Sequence, residues 1–137
     1  MTATAVLVPL VVACGGQRAG EPVASRPAVT GIEWTVARVT ADGTTRDAPS
    51  RAHLRIDDGR AAGGLGCNQF SATARITDDR IRLGGLRTTR MACGGARTAF
   101  ERALAGVLTA GPLATRADGR ELTLTAAGGD RVELVRK

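Results

Sequence analysis

The sequence predicts a mainly β chain with one helix: a small antiparallel β-barrel, or a strongly curled sheet, covered by a single amphipathic helix. Three observations predict it. Short runs from about residue 30 onward alternate apolar and polar residues with period two. Asp-Gly, Asp-Asp and Gly-Gly-Asp turns separate those runs, as hairpins require. A single interval, 96–112, carries a helical stripe instead.

The strands follow in order. "GIEWTVARV" (31–39) carries Trp34 among β-branched residues and is turned by "ADG" at 41–43. "HLRI" (53–56) runs into "DDGR". In "FSATARI" (70–76), Phe70, Ala72, Ala74 and Ile76 share one face, and Ser71, Thr73 and Arg75 the other. "IRLGGL" (81–86) follows the turn at Asp78-Asp79. After the helical interval come "LATR", "ELTLTA" and "RVELV". In these last runs Leu122, Leu124, Val132 and Leu134 alternate with Thr and charged residues. Such alternation gives a sheet one buried and one wet face. Seven or eight strands in about a hundred residues point to a closed or strongly curled sheet.

The helical interval places Phe100, Ala103, Leu104, Val107 and Leu108 on one stripe. Gly111-Pro112 stops it. Its start has two readings: a capping box from Thr98 to Glu101, or an earlier start at Gly94-Gly95. The stripe is expected to cover one end or one open side of the barrel.

Composition narrows the function. Apolar residues make up 43% of the 137-residue chain and charged residues 23%, which suits one globular domain behind a leader. The net charge is +6, and every basic residue but Lys137 is arginine. The arginines are scattered, and the chain has no Tyr and few aromatics. A single-strand nucleic-acid binder would need stacking platforms that this composition does not supply. No nucleic-acid partner is expected, and a monomer is.

The first residues read as an export signal. "MTATAVLVPLVVACGG" has no charge, and its apolar run from Ala5 to Ala13 is too short to span a bilayer. The run ends in "VVAC", which resembles a bacterial lipobox with Cys14 as the lipidated residue. It departs from that pattern by lacking a basic n-region. The expected organisation is a signal peptide at 1–13, a lipid-anchored Gly/Pro/Ser/Ala-rich tether at 14–29 and the domain at 30–137. Acyl chains such as palmitate on Cys14 would hold it at the extracytoplasmic face of a cell membrane.

With Cys14 set aside, Cys67 and Cys93 remain, and an even pair in an exported chain points to one disulfide. Two alternatives stay open at this level. Zinc would draw on Cys67, Cys93 and His53 without any close-spaced ligand pair. A Cys–His nucleophile would use His53, which has no local signature around it. The acid pairs Asp57-Asp58 and Asp78-Asp79 sit at turns, where acids serve the backbone. No catalytic set, metal or cofactor is expected.

Both domain cysteines lie in recognisable strings. "GLGCNQFSA" (64–72, with Gly64, Gly66, Cys67, Asn68 and Phe70) and "LRTTRMAC" (86–93, with Thr88, Thr89, Met91 and Ala92) resemble the two signatures of the META domain, the HslJ-like family of bacterial envelope proteins. "GIEWTVARV", "FERAL" and the closing "ELTLTAAGGDRVELVR" match the family's other elements. The likeness runs from about Gly31 to Arg136. After "GCNQF" the family's glycine-plus-aromatic gives way to "SATA", a smaller and less aromatic core. The resemblance implies a small β-barrel with one helix, frequent lipid anchoring, and links to heat response, novobiocin resistance and motility or virulence. It implies no catalytic residues. Gly64 and Gly66 are expected at a bulge or close backbone approach. Asn68, Thr88 and Thr89 are expected to satisfy backbone groups at the same bend. The motif is either a fold-defining staple or a face for a ligand or an envelope partner, and the staple explains each motif residue on its own.

Overall fold

The computed structural model describes residues 29–137. The signal peptide and the Cys14 lipidation expected above, with all but the last residue of the tether, lie outside the described residues. The strands are β1 (Glu33–Ala41), β2 (Thr44–Asp47), β3 (His53–Asp57), β4 (Arg60–Gly64), β5 (Gln69–Thr77), β6 (Arg80–Thr88), β7 (Leu113–Asp118), β8 (Glu121–Thr125) and β9 (Arg131–Val135). One helix, α1 (Gly95–Leu108), lies between β6 and β7.

Every neighbouring pair is antiparallel, and β9 returns to β1, with Val36 opposite Leu134 and Val39 opposite Val132. Eight strands therefore close into a barrel. The ninth, β2, stays outside the closure and pairs only with the upper half of β1. Closure leaves no strand of the barrel proper without two neighbours, although β6 meets β7 only at Arg80 and Ile81; closing a sheet is how small all-β domains limit edge-to-edge association.

The alternation in the sequence is the inside–outside alternation of this barrel. Trp34, Leu54, Ile56, Ile81, Leu122, Leu124 and Leu134 are each at most 1% exposed. Phe70, Ala72 and Ala74 point inward with them. Ile76 shares their face but is 47% exposed. It lies at the rim, next to the β5–β6 turn, where the barrel wall ends.

Two bulges shape the wall. Ser71 pairs with Arg87 and Thr73 with Gly84, so Gly85 and Leu86 face Ala72 alone. Gly85 takes φ +59 there, a conformation that suits glycine. In β1, Ala37 is the extra residue between Val36 and Arg38. Trp34 is held at its polar end, its Nε1 donating to the Val29 carbonyl at 3.0 Å.

α1 lies across the end of the barrel where β1 ends and β9 begins, packing on both. Phe100, Leu104, Val107 and Leu108 are buried, as the stripe requires, and Ala103 is partly so. The helix begins at the earlier of the two expected starts, with Gly94 as N-cap. The capping box does not form. Thr98 is one turn inside, its hydroxyl donating to the Cys93 carbonyl at 3.2 Å. Among the described residues, no helix is long and apolar enough to cross a membrane.

Candidate functional site

The two cysteine strings meet at the helix-covered end of the barrel. "GCN" joins β4 to β5, and residues 89–94 join β6 to α1. Adjacent strands β5 and β6 bring these connections side by side, and Cys67 and Cys93 are bonded, with their Cα atoms 6.2 Å apart. The bridge closes a loop of 26 residues, worth about 3.5 kcal/mol on the chain-entropy account.

The glycines before Cys67 serve close approach rather than a bulge. A side chain on Gly64 would meet the Arg51 carbonyl at 2.6 Å. Gly66 has φ +118, and a Cβ there would lie 2.6 Å from Pro49 Cγ. The loop 49–53 thus presses against the β4–β5 connection, and only glycine leaves room.

Asn68 is the hub of the bend. Its Oδ1 accepts from the Met91 N–H at 2.6 Å and from the Thr89 hydroxyl at 2.9 Å. Its Nδ2 donates to Glu101 Oε1 at 2.9 Å. Thr89 Oγ1 also accepts from the Gln69 N–H at 3.0 Å. Thr88 has a different place: it ends β6 opposite Phe70. Phe70 is core, 4% exposed. Met91 is 64% exposed, and Ala92 is exposed beside it.

Glu101 completes the cluster and is the residue that sequence reasoning misassigned. It is the buried charged residue among those described, 7% exposed. Its Oε2 accepts from the Asn68 N–H at 2.6 Å and the Cys67 N–H at 3.2 Å. Read as the acid of a capping box, it instead faces inward and holds the opposite loop. A signal was present: Glu101, Leu104 and Leu108 fall at i, i+3 and i+7, so an acid sits on the apolar stripe and needs a buried partner.

Cys67, Cys93 and Glu101 place ligand-type atoms within 4.8 Å of one another. Both sulfurs, however, are spent on each other, and a disulfide offers no thiolate to zinc or to a substrate. His53 lies on β3 near this end, its Nδ1 2.7 Å from the Arg51 carbonyl and its Nε2 3.8 Å from Glu33. The pairs Asp57-Asp58 and Asp78-Asp79 lie at hairpin turns at the opposite end of the barrel. Asp58 and Asp78 take positive φ in those turns, and Asp57 faces Arg55 at 3.5 Å.

Outside the cluster, a groove of about 410 Å³ runs between the 51–53 segment and the staple. Arg51, His53, Gln69, Met91 and Arg97 line it together with Gly64, Gly66, Cys67 and Asn68. Arg51 sits at its edge with φ +75, a left-handed conformation that is costly for a residue with a side chain. α1 begins beside the groove with no acid in its first turn, so its N-terminal dipole adds to the positive character of Arg51 and Arg97.

These features define a class: a small closed antiparallel barrel, covered at one end by a single helix, with a disulfide and a half-buried Asn bonded to a buried Glu fixing the covered end. The META domain model matches residues 27–137, and the chain belongs to that family. Among solved structures it is similar to a protein from Burkholderia xenovorans, at 24% identity and a TM-score of 0.67 over 80% of this chain and 83% of that one. A second protein solved by NMR aligns at 16% identity and a TM-score of 0.60, over 78% and 91% of the two chains. An uncharacterised protein from Bacteroides eggerthii aligns at 14% identity and a TM-score of 0.51, over 80% and 100%. These likenesses establish the shared fold. No curated protein matches the chain.

Proposed function

We propose that this chain is a non-enzymatic binding domain of the cell envelope, held at the extracytoplasmic membrane face by lipid on Cys14 and acting in envelope stress or antibiotic tolerance. The observation that carries the reading is the Cys67–Cys93 disulfide, a bond that persists in oxidising compartments and not in the cytosol. It fixes the groove between Arg51, Met91 and Arg97, which is the surface offered to a small ligand or a protein.

The test is an intact mass of the mature protein from the membrane fraction, with alkylation before and after reduction. The expected result is a chain starting at an acylated Cys14, with two thiols that appear only on reduction. An intact leader, or a Cys67 that reacts without reduction, overturns the reading and returns Cys67 to nucleophile or metal chemistry.

A second reading is an accessory module that shields another envelope protein. The use of Asn68 and Glu101 within the fold favours it, because what remains outward is an exposed Met91 flanked by arginines, a composition common at protein interfaces. Crosslinking in intact cells followed by co-purification separates the two: a discrete protein partner supports the accessory module, and none supports the small ligand.

A further inference from the structure

The two sides of the barrel carry charge differently. The outward positions of β4, β5 and β6 hold Arg60, Arg75, Arg80, Arg82 and Arg87, all exposed. Register sets Arg75 directly opposite Arg82. Like charges so placed destabilise an antiparallel pair. Among the described residues, none of the five takes part in a salt bridge; those present join Arg38 to Glu133, His53 to Glu33 and Arg55 to Asp57. Asp57 stands across from Arg60 in the ladder but turns to Arg55 at 3.5 Å. The remaining acids on this side, Asp58, Asp78 and Asp79, are confined to the hairpin turns at the rim. The opposite wall carries both signs: Arg38 meets Glu133 at 3.4 Å, and the exposed positions of β7, β8 and β9 hold Asp118 and Glu121 as well as Arg116 and Arg131.

The basic wall is also shaped. Between Arg60 and Arg87 lies a depression of about 470 Å³ floored by Ala62, Ser71, Thr73 and Gly85. The bulge at Gly85 supplies part of that space. Two guanidinium groups flanking a floor of small side chains match a phosphate. The wall offers nothing for bases to stack on, since Trp34, Phe70 and Phe100 are all buried. The chain joins the barrel at Val29, which borders the same rim hollow as Ile76 and Ile81, so the segment leading from Cys14 meets the barrel beside this wall.

We propose that the outer wall of β4, β5 and β6 docks on the phosphate headgroups of an anionic phospholipid bilayer. The choice of a bilayer rests on the reading that the chain is held at a membrane; the charge and shape of the wall do not. A lipid-anchored domain would then lie side-on against the membrane, with the groove at Met91 at the end of the barrel remote from the rim.

The test uses the full chain carrying Cys14→Ser, which has no acyl site, sedimented with vesicles at 0.1 M salt. Binding is expected to vesicles containing phosphatidylglycerol and not to pure phosphatidylcholine, and it weakens as salt rises. Arg75→Gln, Arg82→Gln and Arg87→Gln together lower it about a hundredfold, near fivefold per arginine. Arg116→Gln with Arg131→Gln, on the other wall, leaves it within twofold. Thermal melting of the triple variant at or above that of the parent shows that folding is intact, as removal of the Arg75–Arg82 repulsion requires. Equal losses from both walls, or no loss from either, overturn the proposal. Tighter retention on a DNA duplex than on the vesicles overturns it in favour of a nucleic-acid ligand. Because the acyl site is absent, a failure here leaves the mass measurement on Cys14 untouched, and an unlipidated Cys14 leaves this binding measurable.

Discussion

Glu101 and Asn68 form the point on which the covered end of the barrel depends. Glu101 takes three N–H donors from Cys67 and Asn68 while almost wholly buried. Glu101→Ala strands all three donors, and chemical denaturation should show a loss of about 2–4 kcal/mol. Glu101→Gln keeps one acceptor oxygen and should lose less. Asn68→Ala frees the Met91 N–H and the Thr89 hydroxyl, and about 1–3 kcal/mol is expected by the same measurement. If either alanine variant unfolds like the parent, the cluster is not the anchor described. The motif residues were legible as a group because polar residues beside a cysteine at a bend must satisfy something. The identity of their partner was hidden, since Glu101 lies 33 residues from Asn68 and also fits a local capping pattern. Short-range patterns compete with long-range contacts, and only packing decides between them.

At the scale of elements, the disulfide and α1 act on the same junction. Replacing both cysteines by alanine should lower stability by about 3.5 kcal/mol, read as a fall in melting temperature matched by reduction of the parent. Leu104→Ala, from a site 1% exposed on the face of α1 turned to the barrel, should cost about 2–5 kcal/mol. A smaller loss would mean that the helix rests on the barrel without closing it. Elements with a strong period were visible in the sequence: α1, β5, β8 and β9. β2 and β4 were not. β2, "TTRD", is exposed at every position and has no buried face to imprint an alternation. β4, "RAAGG", lacks β-branched and aromatic residues because its last glycines must pass under the 51–53 segment. A close approach selects against the side chains that announce a strand.

The whole molecule is held by the return of its last strand to its first. β9 bridges β8 and β1, so a chain ending at Asp130 leaves both with open ladders and uncovers Leu122, Leu124, Val36 and Val39. Such a chain is expected to lose the near-ultraviolet signal of Trp34 and its cooperative unfolding transition. Retention of either would mean that β1 to β8 hold together unaided. The same return sets an order in time. Residues 35–40 find their partners at 131–135, at the other end of the domain, so the barrel cannot close until both ends of the domain have left the ribosome. Until β9 appears the barrel stays open. An open barrel needs protection for its own apolar runs until that strand arrives.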